Sequence, residues 1–139
     1  MESIEVAAQS LQPFHFDATH CPDLFPPLAV LAACCEGTSV ITGTERLTFK
    51  ESNRAQTLKE EFGKLGIGIT LANNQMYITG GKVIGGKVNS HNDHRIAMAL
   101  AILSLVSQSP IEIENAQAVN KSYPGFYKDL EAIASKDNS

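Results

Sequence analysis

Residues 90–106 read Ser-His-Asn-Asp-His-Arg-Ile-Ala-Met-Ala-Leu-Ala-Ile-Leu-Ser-Leu-Val. The second half of this stretch is apolar on every side, which predicts a helix that is buried all round. Asn92 or Asp93 would cap its start, since a short side-chain oxygen accepts from the free amides of the first turn. His94 and Arg95 then fall in that turn, where the helix dipole disfavours an exposed cation by about 0.3–1 kcal/mol. The cost disappears if the helix terminus and Arg95 together hold an anion. A surface ion pair between Arg95 and Asp93 is the alternative.

Composition limits the classes of protein to which the chain can belong. Its 139 residues are 43% hydrophobic and 19% charged, as expected of one ordinary domain with a core. The net charge of −4 implies no general attraction to nucleic acid or membranes, so any anion site must be local. No stretch reaches transmembrane length, and the N-terminus lacks a signal-peptide pattern. The three cysteines are odd in number and two are adjacent, which indicates reduced thiols and a cytoplasmic location.

The first part of the chain predicts two strands around a second apolar helix. A strand is expected at Ser3–Ala8 and a β-branched strand at Thr38–Thr42. Between them lies a helix from Leu24 to Cys35, which Asp23 precedes and Gly37 ends. An aspartate in this position is commonly a helix cap, so capping is the alternative to any chemical role for Asp23.

The middle of the chain predicts an amphipathic helix followed by a hairpin. The helix begins near Arg54, ends at Gly66, and has one apolar face formed by Ala55, Leu58, Phe62 and Leu65. Strands at Ile67–Leu71 and Gln75–Thr79 flank an Ala-Asn-Asn turn. A last amphipathic helix is expected at Pro124–Ala134.

A shift of 71 residues lays much of this pattern over itself. It carries the apolar helix from Leu24 onto that from Arg95 and Val40-Ile41-Thr42 onto Ile111-Glu112-Ile113. The chain therefore predicts an α+β fold of repeated βαβαββ-like units, at about 1–82 and 83–135. Two helix types per unit suggest inner buried helices with sheets and outer helices around them.

Basic residues stand at or near the starts of several predicted helices. If those helices are parallel, the basic residues form one cationic site in an otherwise acidic protein. Taken singly, the two lysines could be solvated loop residues, and the first arginine could pair with Glu51 or Glu61. The basic residues concerned are Lys50, Arg54, Arg95 and Lys121.

Four motifs resemble the family of 5-enolpyruvylshikimate-3-phosphate synthase, also called 3-phosphoshikimate 1-carboxyvinyltransferase. They occur in the family's order, and the resemblance covers the chain from about Phe16 to its end. It implies the inverse barrel of the enolpyruvyl transferases. The related enzyme acting on UDP-N-acetylglucosamine shares the repeated units but lacks this combination of motifs. The motifs are Cys-Pro-Asp (21–23), Phe-Lys-Glu-Ser-Asn-Arg (49–54), Asn-Asp-His-Arg-Ile-Ala-Met (92–98) and Asn-Lys-Ser-Tyr-Pro (120–124).

The resemblance implies transfer of enolpyruvyl from phosphoenolpyruvate to the 5-hydroxyl of shikimate 3-phosphate, with release of phosphate. This reaction belongs to the shikimate pathway to chorismate and the aromatic amino acids. The family needs no metal or organic cofactor, and the resemblance implies no nucleic-acid or membrane partner. A UDP-N-acetylglucosamine enolpyruvyl transferase-like enzyme and a non-catalytic anion-binding module are the alternatives.

The resemblance also implies roles for individual residues. Asp23 matches the proposed proton acceptor, and Glu51 matches the residue for proton transfer at the enolpyruvyl methylene. Lys50 matches a ligand of shikimate 3-phosphate. His94 would lie adjacent to the substrate ligands, one step removed from the substrates. The residues that match ligands of phosphoenolpyruvate are Arg54 and Arg95, at the carboxylate, and Lys121, near the phosphate.

The chain departs from the family pattern in two residues and in length. Asn53 stands where the family usually has aspartate, which weakens a support for Arg54. Arg46 stands where some members have a substrate-contacting asparagine, and that role is not carried over. The family's N-terminal half, which completes both substrate sites, is absent from this sequence. The chain thus resembles only the C-terminal part of one enolpyruvyl transferase domain, and we expect it to be inactive alone.

A zinc site is the remaining alternative that the residue types allow. The candidate ligands show no ordinary zinc-ligand spacing, because two are sequence neighbours and two lie in a predicted buried helix. Cysteines packed in the core are the better interpretation, and no metal site is predicted. The candidate ligands are His20, Cys21, Cys34, Cys35, His91 and His94.

Overall fold

The computed structural model describes residues 11–48 and 53–137, and both ranges contain helices and strands. The predicted strand at Ser3–Ala8 lies outside these ranges, as do Lys50 and Glu51. The elements are β1 (His15–Asp17), α1 (Phe25–Ala33), β2 (Gly37–Thr42), α2 (Arg54–Lys64), β3 (Gly68–Ala72), β4 (Gln75–Gly80), β5 (Gly86–Asn89), α3 (His94–Leu103), β6 (Ile111–Glu114) and α4 (Phe126–Asp137). Short 3-10 helices cover Pro22–Leu24, Thr44–Leu47 and Ala116–Lys121.

The strands of the described residues form one four-stranded and one two-stranded sheet. The larger sheet has the order β1-β2-β4-β3, with β1 parallel to β2 and the other pairs antiparallel. The predicted hairpin is confirmed as β3 and β4. Its turn residues Asn73 and Asn74 both have positive φ, a conformation that asparagine tolerates and that two-residue hairpins require.

The core lies between the four-stranded sheet and the helices. Ile41, Met76 and Ile78 are fully buried on one face of the sheet. They belong to one apolar cluster with Phe25 of α1 and Phe62 of α2. This packing explains the predicted apolar face of α2, which is confirmed.

Gly80 shows how closely α1 approaches the sheet. A Cβ at Gly80 would lie 2.1 Å from the carbonyl oxygen of Cys35 and 2.3 Å from that of Ala32. The amide of the next residue, Gly81, donates to the carbonyl of Ala33 at 3.1 Å. Only glycine fits where β4 meets the end of α1.

The helix α3 is shorter and less enclosed than predicted. It ends at Leu103, before the predicted end at Val106. Ile102 is 39% exposed and Met98 is half-buried, so the expectation of burial on every side is wrong at these positions. An apolar groove lies between the first turn of α1 and α3, lined by Pro26, Pro27, Met98 and Ile102 together with the charged Arg95.

The 71-residue shift recurs in the pairing of the parallel strands. His15 pairs with Val40 in β1 and β2, and Gly86 pairs with Ile111, each 71 residues later, in β5 and β6. The architecture is α+β, as predicted. No helix in the described ranges has the length and apolar character needed to cross a membrane.

Candidate active site

The starts of α1, α2 and α3 converge on the side chain of Arg54, the first residue of α2. Its Nε and Nη2 donate to the two carboxylate oxygens of Asp93 at 2.9 and 3.3 Å. Its Nη1 donates to Oδ1 of Asp23, just before α1, at 3.2 Å. Arg95 lies on the same side, with Nη2 3.6 Å from Oδ2 of Asp23. Helix starts that are far apart in sequence thus meet in one charged network.

Arg54 and Asp93 form a buried ion pair. Arg54 is 1% exposed and Asp93 is fully buried. The fork of the guanidinium matches the carboxylate in a bidentate arrangement, which gives both strength and orientation. Removing one partner of such a pair leaves an uncompensated buried charge. Asp93 therefore fixes Arg54 and the start of α3 relative to each other.

Asp93 also caps α3, as one of the two predicted candidates. Its Oδ1 accepts from the amide of Arg95 at 3.0 Å. Because Asp93 is fully buried, the alternative of a surface pair between Arg95 and Asp93 is wrong. The side chain of Arg95 is 39% exposed and points instead toward Asp23.

Asp23 is not a helix cap. It lies inside the 3-10 helix Pro22–Leu24, and the N-cap residue of α1 is Leu24, which makes no capping bond through its side chain. The alternative interpretation of Asp23 as a cap is therefore wrong. Its side chain is 53% exposed, so the carboxylate contacts two guanidinium groups and remains open to solvent.

Lys121 and His94 connect the same helix start to the last part of the chain. Nζ of Lys121 donates to the carbonyl oxygen of Asn92 at 2.6 Å. Nδ1 of His94 lies 2.6 Å from Oγ of Ser122. Lys121 is therefore bonded beside the start of α3 rather than being a solvated loop lysine alone.

The remaining predicted site residues lie partly outside the described ranges. Lys50 and Glu51 are not described, so their predicted roles stay predictions. Asn53 caps α2, because its side chain accepts from the amide of Gln56 at 3.3 Å. Arg46 is exposed and donates to the carbonyl of Thr19 at 2.7 Å.

A second polar cluster surrounds Glu61 on α2. Glu61 is 1% exposed, and its carboxylate accepts from Lys64 and from the backbone amide of Asn89, while Nε2 of His91 lies 3.1 Å away. Burial alone would raise the pKa of Glu61. The hydrogen bonds from Lys64, His91 and the Asn89 amide outweigh burial and hold the pKa below its ordinary value.

Potential metal ligands of the described residues meet in this cluster, at Glu60, Glu61 and His91. The group contains none of the cysteines in the zinc alternative, and Glu61 already has three hydrogen-bond partners. Cys35 is buried and donates to the carbonyl of Gln12, as a core thiol would.

Two features of the site go beyond the sequence predictions. The sequence predicts Asp93 as a cap or a surface partner, and the structure adds its burial against Arg54. The sequence offers Glu61 only as a partner of Arg54, whereas its partners are Lys64, His91 and Asn89. One signal was available, because Arg54 and Glu61 are seven residues apart and share one face of α2.

The fold is that of the enolpyruvyl transferases. The structure matches NikO, an enolpyruvyl transferase from Streptomyces tendae, with a TM-score of 0.68 over 91% of this chain and 29% of that chain, at 21% identity. This likeness concerns the fold alone. EPSP synthase from Acinetobacter baumannii matches with a TM-score of 0.77 and 35% identity, over 86% of this chain and 29% of that one.

The sequence comparisons show the family. The family described as EPSP synthase (3-phosphoshikimate 1-carboxyvinyltransferase) matches residues 1–130, so the chain belongs to it. The 3-phosphoshikimate 1-carboxyvinyltransferase of Clostridium novyi is 45% identical over 94% of this chain, and that of Pyrococcus abyssi is 43% identical, also over 94%. The chain spans 30% and 32% of the lengths of these relatives.

Proposed function

We propose that the chain forms part of the active site of a 3-phosphoshikimate 1-carboxyvinyltransferase. The reaction is transfer of enolpyruvyl from phosphoenolpyruvate to the 5-hydroxyl of shikimate 3-phosphate, with release of phosphate. Family membership supports this assignment, and the single structural observation that carries it is the convergence of three helix starts at Arg54. We also propose that the chain is the C-terminal part of the transferase domain, with repeat units at about 1–82 and 83–135.

The charges at the convergence suit anionic substrates. Both proposed substrates carry phosphate and carboxylate groups, so they repel each other unless fixed cations hold them together. The described residues bring Arg54, Arg95 and Lys121 to the start of α3, against the carboxylates of Asp23 and Asp93. The amide end of α3 adds a partial positive charge. The surplus of positive charge supports anion binding in a chain whose net charge is −4.

We assign the carboxylate of phosphoenolpyruvate to the arginines and the phosphates to the lysines. A guanidinium matches a carboxylate in a bidentate manner, whereas an ammonium acts as a point charge on phosphate. Arg95 is half-exposed and borders a groove, which supports a direct contact. We assign Lys121 to the phosphate of phosphoenolpyruvate and Lys50 to shikimate 3-phosphate, with His94 beside them and not in direct contact.

Arg54 has a second task in this proposal. Its Nε and Nη2 face Asp93, and its Nη1 faces Asp23. A contact of Arg54 with the substrate carboxylate would use Nη1 alone, beside the exposed carboxylate of Asp23, so the bidentate match falls to Arg95. Arg54 would then bind substrate while also holding α3 in place.

Asp23 and Glu51 are our candidates for moving protons. The 5-hydroxyl oxygen bonds to C2 of the enolpyruvyl group as its proton passes to Asp23, and the methylene carbon receives a proton from Glu51. The C2–O bond to phosphate then breaks, phosphate leaves with the bonding electrons, and one methyl proton returns to Glu51 as the double bond is restored. Two carboxylates in different surroundings can divide these tasks. Asp23 supports the first role, because it is half-exposed at the convergence.

The partner in this proposal is the rest of the transferase, in the same polypeptide or another. The curated relatives are about three times as long as this chain, which supports a site completed by further residues. We propose a cytoplasmic enzyme that uses no metal or organic cofactor and binds neither nucleic acid nor membranes.

A chimera tests the function directly. This chain would replace the corresponding 30% of the Clostridium novyi enzyme, and phosphate release would be measured with both substrates. We expect release that needs both substrates, and none from the 139-residue chain alone. Mixing the chain with the remaining portion is a companion experiment, in which the uncovered apolar surface favours aggregation.

Matched variants give the chimera its controls. Lys59→Ala, at an exposed position of α2, should leave activity unchanged, whereas Arg95→Ala should reduce it. A folded chimera without phosphate release would contradict the proposal. Turnover with UDP-N-acetylglucosamine in place of shikimate 3-phosphate would favour the related transferase instead, and anion binding without turnover would favour a binding module.

A further inference from the structure

The segment from Asn89 to Asp93, which joins β5 to α3, is bonded to α2 at two places. At one end, Arg54 binds Asp93. At the other end, seven residues further along α2, Glu61 holds the segment through Asn89 and His91. The distances are 2.7 Å from the Asn89 amide to Oε1 and 3.1 Å from Nε2 of His91 to Oε2.

Within this segment, two residues have an unfavourable backbone conformation. His91 and Asn92 have φ values of +54° and +58°, in the left-handed region that few side chains other than glycine and asparagine occupy. Such a conformation persists when surrounding contacts over-determine it. The Glu61 carboxylate supplies contacts to Asn89 and His91, and Ser90 adds others, through its hydroxyl to Asn115 and from the amide of Asn92.

The turn at His91 and Asn92 leads directly to the candidate site. The carbonyl of Asn92 accepts from Lys121 at 2.6 Å, and the next residue, Asp93, binds Arg54 and caps α3. A change in this turn would therefore move three groups together. They are the Asn92 carbonyl that accepts from Lys121, the Asp93 carboxylate that binds Arg54, and the amide of Arg95.

We propose that Glu61 is a positioning residue, which holds the turn at His91 and Asn92 and thereby sets the placement of Arg54, Arg95 and Lys121. Glu61 is buried two helical turns away from Arg54 and acts through Asn89, His91 and Asp93. The expected effect on catalysis rests on the proposed function. The placement of the turn by Glu61 rests on the contacts alone.

Hydrogen exchange in the 139-residue chain tests the structural claim without any substrate. The reporters are the backbone amide of Arg95 and the Nε–H of Arg54, which donate to the two carboxylate oxygens of Asp93. In Glu61→Gln, exchange at both should become roughly tenfold faster through local opening. The amide of Ile78, in the buried sheet, reports global unfolding, and its exchange should accelerate by less than that of the two reporters.

Three further variants separate positioning from helix stability. His91→Asn suits the left-handed conformation but removes the imidazole, so it should also accelerate both reporters. Lys64→Met removes a partner of Glu61 outside the segment, and Glu60→Gln removes a neighbouring charge bonded only to Gln56 among its described contacts. Both should behave like wild type.

The proposal is overturned if folded Glu61→Gln and His91→Asn leave the two reporters unchanged or accelerate Ile78 equally. Equal acceleration by Lys64→Met would also overturn it, since helix stability would then suffice. If Glu61→Gln does not fold, His91→Asn decides on the same criteria.

In the active chimera, His91→Asn should raise the KM for phosphoenolpyruvate more than it lowers kcat, whereas loss of folded protein would lower only the apparent kcat. An unchanged KM would remove the catalytic consequence, and an inactive chimera would contradict the proposed function without affecting the exchange result.

Discussion

The two predicted repeat units share a pattern of strand pairing and differ in their side chains. The pairs His15 with Val40 and Gly86 with Ile111 have the same register, 71 residues apart. Yet Ile41 is fully buried, whereas the residue equivalent to it, Glu112, is exposed. The strand β2 has β1 and β4 as neighbours, while β6 pairs only with β5 among the described strands. The two units therefore agree in main-chain pairing and differ in burial.

The helix starts of the two units differ in the same way. At the position of Arg95 in the second unit, the first unit has the exposed Leu24. At the position of Asp93, the first unit has Pro22. Pro22 begins a 3-10 helix, whereas Asp93 caps α3. The first unit contributes the open carboxylate of Asp23, and the second contributes the buried Asp93 and the half-exposed Arg95.

This comparison shows how a repeat can build one asymmetric site. Equivalent backbone elements bring two helix starts together, and Arg54 of α2 bonds to a carboxylate from each unit. Such asymmetry suits the proposed substrates, which carry different groups at each end, because identical side chains at both helix starts would offer identical contacts.

The largest expected effect concerns the contribution of the first unit. In the active chimera, Asp23→Asn should lower kcat by roughly 10²–10⁴-fold, the usual range for general acid–base catalysis. Its effect on the free energy of unfolding should be below about 1 kcal/mol, since Asp23 is half-exposed and caps no helix. Turnover and urea unfolding measure the two quantities. Glu51→Gln should likewise lower kcat with a smaller effect on binding, and near-normal turnover in both variants would remove these residues from catalysis.

The link between the units should dominate stability. Arg54→Met leaves Asp93 buried without its cationic partner, which should cost about 3–5 kcal/mol of unfolding free energy. Urea denaturation of the 139-residue chain measures this loss. Arg46→Met, at an exposed arginine, should cost less than about 1 kcal/mol. Adding Asp93→Asn to Arg54→Met should recover part of the stability, and no recovery would argue against an unpaired buried charge as the cause.

The contribution of the second unit should appear in substrate binding. Arg95→Ala should weaken phosphoenolpyruvate binding by about 1.5–3 kcal/mol, the range for hydrogen bonds to charged groups. Leu24→Ala changes the equivalent position of the first unit and should leave this affinity unchanged. Lys50→Ala should weaken the binding of shikimate 3-phosphate more than that of phosphoenolpyruvate. Isothermal titration of the chimera distinguishes these outcomes, and equal effects of Arg95→Ala and Leu24→Ala would break the comparison between the units.

The smallest effect is a pH dependence carried by Glu61. Because its pKa lies below the unfolded value of about 4.3, the unfolded state binds more protons near that pH. Its contribution to stability is therefore complete above the unfolded pKa and is lost as the pH falls through the folded pKa. The difference in the free energy of unfolding between wild type and Glu61→Gln should therefore become smaller as the pH falls below about 4. Urea unfolding between pH 3 and 7 tests this expectation, with Glu60→Gln as control, and a constant difference would contradict it.

Local patterns predicted much of the fold because their causes are local. The apolar spacing from Ala55 to Leu65 defined α2, and the paired asparagines at 73 and 74 defined the hairpin turn. The 71-residue shift superposed Val40-Ile41-Thr42 on Ile111-Glu112-Ile113, and both segments are strands, although their pairing with β1 and β5 was not predicted. Helix ends were less certain, since α3 stops at Leu103 although apolar residues continue to Val106.

Sequence patterns predicted the helices, the hairpin, the strand at β2, the family and the residue types available for binding anions, but not β1 or β5. Which charges meet depends on the tertiary structure. Asp23, Arg54 and Asp93 are separated by 31 and 39 residues along the chain, and no local rule relates them. Their pairing follows from the packing of three helices, which buries Asp93 against the fork of Arg54, whose charge compensates that of the carboxylate. The same packing left Asp23 open to solvent and gave Glu61 partners in a distant turn.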